Sequence, residues 1–328
     1  MIRFVLRRLA VALPLALGVA TLVFILMETA PGSAADQLLG ERPVPPEVRE
    51  RIERAYGLDR PPVERYGRWL AALCLKGELG WSHSRQRPVA QLLGQALPPT
   101  LALAGTALLL HLVAGILFGI VSAARRGGWP DRLLSVGGLT LYAMPTFWLG
   151  LMCILTFSYL VPIFPASSMQ SVGARDWSPW LRLADRLWHL ALPAAVLGLA
   201  SAAAMTRFVR AGLLETLGQE FVRAARARGL SAPRVMVHAL RNALLPVINL
   251  VGLALPVLIS GALVTEVVFA WPGMGRLTYE AIRAQDFSVV LASTLLASLM
   301  VIVGNLAADL AMAAIDPRIR LAGRGDGA

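Results

Sequence analysis

Charge is the feature that this chain has least of. Asp, Glu, Lys and Arg make up 16% of its 328 residues, against about 25% in a typical soluble domain, and the mean hydropathy is +0.63. A helix needs about 20 apolar residues to cross the hydrocarbon core of a bilayer. Charge-free runs near or above that length are Leu9–Met27, Pro88–Ala124, Leu133–Ala174, Leu187–Thr206, Asn242–Thr265 and Phe287–Ala308. The sequence therefore predicts an all-α integral membrane protein with six transmembrane helices.

Residue patterns that would indicate an enzyme or a metal site are also missing. The two cysteines, Cys74 and Cys153, form no CxxC pair, so neither a disulfide nor a zinc site is expected. No GxxxxGK[ST] loop is present to hold nucleotide phosphates. The four histidines form no HExxH motif and accompany no GxSxG. We therefore predict a non-catalytic chain without a cofactor or metal of its own, which disfavours an intramembrane enzyme.

The distribution of positive charge predicts the orientation in the membrane. Six spans place both termini on one side, where 16 Lys and Arg lie in 1–8, 125–132, 207–241 and the residues after 316. The short segments on the opposite side, 162–188 and 269–286, contain 5, and 28–97 is left out because long loops translocate regardless of charge. Both termini and the loop 207–241 are therefore predicted to be cytoplasmic. The net charge of +11 then reports topology, and no nucleic-acid partner is expected.

The amino-terminal region is expected to contain one span and an extracytoplasmic helical segment. The 19 uncharged residues of the first run exceed the core of about 7–15 residues of a cleaved signal peptide, so we expect an uncleaved helix. Within 28–97, prolines and Gly57 separate two helices. The second helix has Tyr66, Leu70 and Leu73 at helical spacing, beside Trp69. We expect this face to pack on the chain's own spans rather than bind a ligand.

Glycine and proline give two further expectations within the membrane. Gly115 and Gly119 form a GxxxG pair, which allows another helix to approach closely. Pro162 and Pro165 predict that the third span ends near Val161.

Ionisable residues near the spans are interpreted mainly as structural. We expect Glu266 and Asp309 to pair with polar groups rather than contact substrate. His111 is expected to be a neutral, hydrogen-bonded residue that faces a neighbouring helix, rather than a proton relay. Arg207 and Arg210 are expected to extend from a span end into water.

The loop 207–241 carries the most specific pattern. Its residues "ETLGQEFVRAARARGL" favour a helix, with one face formed by Phe221, Ala224, Ala225 and Arg228. Gly229 is placed to end that helix in the left-handed conformation. Ser231 is expected to cap a second helix, with Pro233 in its first turn. Two short helices joined by a glycine turn suit docking onto a cytoplasmic partner.

This loop resembles the signature loop of ABC importer permeases, and of the peptide/opine/nickel permease family in particular. Ala224, Ala225 and Gly229 match the family's "AA…G" core, and Leu245-Pro246 match its Leu-Pro. Arg223 stands where the general motif has glutamate, which leaves any role of that glutamate without a counterpart. The resemblance extends to "GLDRPPVERYGRWLAALCLKGELGWSHSRQRPV" (57–89), "TEVVFAWPGMGRLTYEAIRAQDFSVV" (265–290) and "DPRIR" (316–320).

The resemblance implies the six-span type I importer permease fold, also called MetI-like. It implies an amino-terminal region 1–97, a permease domain 98–316 with the coupling loop 207–241, and a cytoplasmic tail 317–328. The implied partners are a second homologous permease, two ABC ATPases that bind ATP and Mg, an extracytoplasmic substrate-binding protein, and membrane lipid. For the loop 269–277 two interpretations stay open: it is where the binding protein docks, or it is a connector whose shape needs Pro272 and Gly273. The residues implied to contact the ATPase are Phe221, Ala224, Ala225, Arg228, Gly229, Leu230, Leu245 and Pro246.

The cargo stays open at this point. Di- or oligopeptides are the first expectation, and nickel or glutathione imported by the same architecture are alternatives. An ion-coupled secondary transporter is a third possibility, for which paired repeats with broken helices would be expected. No such repeat is evident in the sequence.

Overall fold

The structure of this chain is a computed structural model that describes residues 2–29, 45–56, 59–82, 84–244 and 262–315. The described residues are mainly helical. In chain order the helices are α1 Ile2–Glu28, α2 Pro46–Tyr56, α3 Pro62–Ala71, α4 Val89–Ala124, α5 Trp129–Ala143, α6 Thr146–Ile154, α7 Pro179–Leu217, α8 Glu220–Ala227, α9 Ala232–Ala243, α10 Met274–Arg283 and α11 Phe287–Ile315. Residues 262–268 are also helical.

Shorter elements complete the described structure. Single turns of π-helix follow α3 at Ala72–Lys76 and α6 at Leu155–Leu160, and a 3-10 turn covers Ala174–Asp176. The hairpin β1 Trp81–Ser82 and β2 Arg87–Pro88 is antiparallel, with Trp81 opposite Pro88. The chain divides into two compact units, 1–99 with 273–302 and 100–272 with 303–328.

The first unit is held by an apolar core and by one buried carboxylate. The core is formed by residues of α4, α10 and α11: Val89, Leu92, Leu93, Ala96, Met274, Leu277, Ala281, Val289 and Ala292. Asp286 is 2% exposed and accepts hydrogen bonds from Ser82 Oγ and Ser84 Oγ, both at 2.6 Å, and from Ser84 N at 3.1 Å. This carboxylate therefore ties the hairpin to the start of α11.

In the same unit, helix α3 packs on the first span. Tyr66 Oη lies 2.6 Å from Thr21 Oγ1 of α1, and its ring centroid lies 5.1 Å from that of Phe24. Arg65 forms an ion pair with Glu28 at the end of α1. The expectation that this amphipathic helix packs against the chain's own span is confirmed.

The second unit is built on the contact between α4 and α7. A Cβ on Gly198 would lie 2.6 Å from Ala107 O, and a Cβ on Gly115 or Gly119 would lie 2.4 Å from Met205 Cγ or 2.6 Å from Val209 Cβ. Such distances are shorter than any real Cβ contact, so only glycine lets the two helices approach this closely. The expected role of the GxxxG pair in close packing is confirmed, and its partner helix is α7.

Three of the described helices are long and apolar enough to cross a membrane: α4, α7 and residues 287–307 of α11. Helix α1 covers the first predicted span, and the fifth predicted span lies mostly in 245–261, outside the described residues. A count of six spans therefore stays a prediction. Helix α7 has 39 residues and is about 58 Å long at 1.5 Å per residue, so it extends well beyond the hydrocarbon core of about 30 Å.

The third predicted span differs from a straight helix. Helices α5 and α6 are bent by 105° at the break after Ala143. Met144, which precedes Pro145, has φ −77° and ψ 135°, since the proline ring disfavours the α conformation in the residue before it. Helical structure then continues to Leu160, so the predicted end near Val161 is confirmed.

The tight contact between α4 and α7 gives a first prediction. Replacement Gly198→Ala should destabilise the chain by about 1–3 kcal/mol, since the added methyl group overpacks a rigid helix interface. Gly105→Ala, on α4, is the matched control because a Cβ there would meet nothing within 4 Å. Thermal unfolding of the purified protein in detergent should show a lower Tm for the first variant only. Equal Tm values for the two variants would contradict this packing.

Candidate functional site

The first helix of the loop 207–241 ends as the sequence predicts. Helix α8 closes with Gly229 at φ +80°. Gly229 N donates to Arg226 O at 2.9 Å, and Leu230 N donates to Ala225 O at 3.2 Å. This pair of hydrogen bonds defines a Schellman motif, in which the left-handed residue is usually glycine. The turn fixes the direction in which the chain enters α9.

The second helix begins where it was expected, but its cap differs. Ser231 is the residue before α9, with φ −66° and ψ 151°, and Pro233 lies in the first turn. The Ser231 hydroxyl forms no capping hydrogen bond with the described residues, which corrects the expectation of a side-chain cap. A physical reason is that Pro233, the second residue of the helix, has no N–H to donate.

An open groove of about 300 Å³ lies between helices α8 and α9. The four residues of the predicted α8 face line it, together with Leu230. Gly229 forms the turn, whereas Leu245 and Pro246 lie outside the described residues. The residues of the groove are Phe221, Val222, Ala224, Ala225, Arg228, Leu230, Val235 and His238.

Three groove residues were missed in the sequence. Val222 and Val235 are 1% and 3% exposed and contribute to the apolar base, and His238 lies one helical turn after Val235. The spacing of Val235, His238 and Ala239 on α9 was the available signal. The sequence pattern could not show that this face meets α8, because that depends on the turn geometry at Gly229.

The surface around the groove is strongly positive. Between 218 and 244 the chain has five arginines and one glutamate, Glu220. All five guanidinium groups belong to exposed residues: Arg223, Arg226, Arg228, Arg234 and Arg241. Such a concentration of one charge sign favours association with an acidic surface.

The groove is fixed to the long helix α7 through α9. Val209 and Leu213 of α7 are buried in one cluster with Ala239 and Ala243 of α9. One turn away, a Cβ on Gly212 would lie 3.4 Å from Ala243 O. The two-helix loop is therefore packed directly on the end of α7 that follows its apolar run.

A buried ion pair lies beside this junction and was not predicted. Asp131, at the start of α5, is 4% exposed and accepts from Arg210 Nε at 2.7 Å and Arg210 Nη2 at 2.9 Å. Asp131 lies just before the third uncharged run of the sequence. Hydrogen bonds from Arg210 hold the pKa of this carboxyl well below its usual range. The expectation that Arg210 extends into water is wrong, because its guanidinium pairs with the Asp131 carboxylate. Arg207, by contrast, is exposed.

Two other ionisable residues have the structural partners that were expected. His111 Nδ1 on α4 lies 3.0 Å from Ser201 Oγ on α7. Glu266 is completely buried, and Thr100 Oγ1 donates to its Oε1 at 2.6 Å. The Asp309 side chain lies outside the described part of the chain.

The loop that begins at Phe269 is anchored by its aromatic residues. Phe269 and Trp271 are 2% and 1% exposed and belong to the core of the second unit. Trp271 N donates to Glu266 O at 2.8 Å, which closes the helical residues 262–268. Its role at an extracytoplasmic mouth stays a prediction.

Family models match most of the chain. Residues 115–321 match the binding-protein-dependent transport system inner membrane component, and residues 1–104 match the amino-terminal part of such membrane components. Among solved structures, the chain is similar in fold to the MetNI methionine ABC transporter in inward-facing conformations, with a TM-score of 0.53 and 18% identity, covering 69% of this chain and 97% of that chain. This likeness supports the MetI-like fold.

Curated relatives align over nearly the full length. The oligopeptide transport system permease protein AppB of Bacillus subtilis is 36% identical, covering 97% of this chain and 99% of its own. The dipeptide transport system permease protein DppB of Escherichia coli K12 is 34% identical, covering 98% and 99%. A putative peptide permease of Brucella ovis is 38% identical, covering 98% and 100%. The chain therefore belongs to the family of binding-protein-dependent transport system inner membrane components, and it is a multi-pass permease subunit of an ABC importer rather than an enzyme.

Proposed function

We propose that this permease imports di- or oligopeptides. The observation that carries the proposal is the full-length similarity, at 34–38% identity, to proteins named as dipeptide, oligopeptide or putative peptide permeases. A second homologous permease completes the pathway across the membrane, and an extracytoplasmic binding protein delivers the peptide. Two ABC ATPases bind ATP and Mg and supply the energy, which agrees with the lack of a phosphate-binding loop in this sequence.

The contact with one ATPase is assigned to α8 and the groove beside it. Phe221, Ala224 and Arg228 are exposed on one face of α8, and the alanines let a partner approach the helix closely. The arginines around the groove attract an acidic surface on the ATPase. Because α9 is packed on α7, a displacement of the ATPase is passed to a membrane-spanning helix.

The same assignment determines the orientation. The ATPases are cytoplasmic, so α8 and α9 lie on the cytoplasmic side, and the positive short loops lie there too. Both termini are then cytoplasmic, and residues 28–97 are extracytoplasmic.

Peptide import by the reconstituted transporter tests this function. We expect proteoliposomes with both permeases, the ATPases and the binding protein to take up a radiolabelled dipeptide or oligopeptide when ATP is enclosed. Uptake of nickel or glutathione without uptake of any peptide would contradict the proposal.

In the same assay, Ala225→Trp should fill the groove and lower import about tenfold or more, with loss of bound ATPase or hydrolysis without import.

Two further variants determine whether the effect belongs to this site. Ala227→Trp places the same side chain on the same helix, at an exposed residue that does not line the groove, and it should retain most import. Gly229→Val should impair coupling for a different reason, since a left-handed conformation costs a residue with a side chain about 1–2 kcal/mol. Wild-type import by both Ala225→Trp and Gly229→Val would rule out this contact.

The native cysteines test the orientation. Cys74 is exposed and lies in the segment expected outside, whereas Cys153 is only partly exposed within a predicted span. A membrane-impermeant maleimide should therefore label Cys74 in intact spheroplasts and leave Cys153 unlabelled. In a variant with Arg226→Cys and Cys74→Ser, labelling should require permeabilisation. Labelling of that variant in intact spheroplasts would reverse the proposed topology.

A further inference from the structure

One carboxylate joins three helices next to the junction of α7 with α9. Asp131 Oδ2 accepts from Gly127 N at 2.8 Å, in the turn between α4 and α5. Asp131 Oδ1 accepts from Ser122 Oγ, near the end of α4, and Ser135 Oγ of α5 lies 3.4 Å away. Arg210 of α7 donates to both carboxylate oxygens. The Asp131 carboxylate is thus a single acceptor for α4, the following turn, α5 and α7.

The position of Arg210 gives this cluster a mechanical consequence. Arg210 lies between Val209 and Leu213, which are buried in one apolar cluster with Ala239 and Ala243 of α9 and Ala123 of α4. In the same stretch of α7, a Cβ on Gly212 would lie 3.4 Å from Ala243 O of α9. The same two turns of α7 therefore pack on the loop helix α9 and are joined through Arg210 to the ends of α4 and α5. A displacement of α9 reaches α4 and α5 through this part of α7.

The two kinds of contact respond differently to force. Apolar contacts have no directional bond, whereas a planar guanidinium with two hydrogen bonds to one carboxylate fixes distance and orientation together. Separating the pair would leave a buried charge without its partner, which is strongly unfavourable. The ion pair consequently resists displacement of α7 along α4 and α5. It adds a directional restraint to the apolar contacts between these helices.

We infer that Asp131 and Arg210 are positioning residues that make the cytoplasmic ends of α4, α5 and α7 move as one body when the ATPase displaces α8 and α9. The inference rests on the proposed function, since it assigns a role in coupling to residues outside the contact with the ATPase. Loss of the pair should leave ATP hydrolysis in place, but less of the displacement of α8 and α9 should reach the membrane-spanning helices. The diagnostic quantity is the number of peptides imported per ATP hydrolysed.

The test measures import and phosphate release in the same proteoliposomes, with the complete transporter and a radiolabelled peptide. Arg210→Lys keeps the charge but removes the planar pair of donors, and Asp131→Asn keeps the shape but removes the charge. Both should assemble with the ATPases and import at least about fivefold fewer peptides per ATP, the lower end of energetic coupling between sites. Ser122→Ala, which leaves the ion pair in place, should lower the ratio roughly twofold.

Arg207→Lys is the matched control, because Arg207 is an exposed residue of the same helix, and it should keep the wild-type ratio. An unchanged ratio in Arg210→Lys, or equal losses of import and hydrolysis, would show that the pair serves stability alone. If Arg210→Lys does not assemble, Ser122→Ala decides, and a wild-type ratio there overturns the inference. Uncoupling by Ala225→Trp but not by Arg210→Lys would reject this inference alone, whereas a wild-type transporter that imports no peptide would reject the proposed function as well.

Discussion

The contact between α4 and α7 at Gly115, Gly119 and Gly198 is the constraint on which the second unit depends. Lipid chains are as apolar as leucine, so helices in a bilayer gain little from hiding apolar surface and associate mainly through close packing. Here the packing is so close that a methyl group would collide with backbone or Cβ atoms of the neighbour. This contact places α7 firmly against α4, and α7 in turn carries the loop helices. The position of the proposed ATPase contact therefore depends on glycines far from it in the sequence.

Buried carboxylates form a second set of connections, and they share one chemical solution. A serine or threonine hydroxyl donates a hydrogen bond to each of four carboxylates: Asp131, Asp185, Glu266 and Asp286. Asp185 accepts from Ser171 Oγ at 2.6 Å and also from the backbone Ser171 N at 2.8 Å. A charged group that leaves water needs such donors, because an unpaired buried charge is very unfavourable. In a chain with so few charges, each of these acids is used to join separate segments.

Local patterns in the sequence predicted local structure well. Gly229 was expected to end α8 because the left-handed conformation is a property of one residue and its nearest neighbours, and the Schellman hydrogen bonds confirm it. The bend at Met144–Pro145 was also readable in principle, since proline restricts the residue before it, but the long uncharged run concealed it. The fold of the family was implied by the loop motif and is supported by the comparisons.

Contacts between distant residues could not be predicted in the same way. Arg210 was expected to reach water because basic residues at span ends usually do, yet its partner Asp131 is 79 residues earlier in the chain. Likewise, the GxxxG pair predicted a close helix contact without naming α7. A sequence shows which groups must find partners, and the tertiary structure determines which partners they find.

Among the described residues, two kinds of contact hold α7 against its neighbours. The glycine contacts resist compression, because atoms already at van der Waals distance cannot move closer, and they include no directional bond. The Arg210–Asp131 pair resists sliding, because its two hydrogen bonds fix direction as well as distance. The glycine contacts and the Arg210–Asp131 pair both lie along α7, which ends at Leu217 just before the loop helices α8 and α9. In the proposed coupling, a displacement of α9 would reach a helix that is packed closely on α4 and paired with Asp131 of α5.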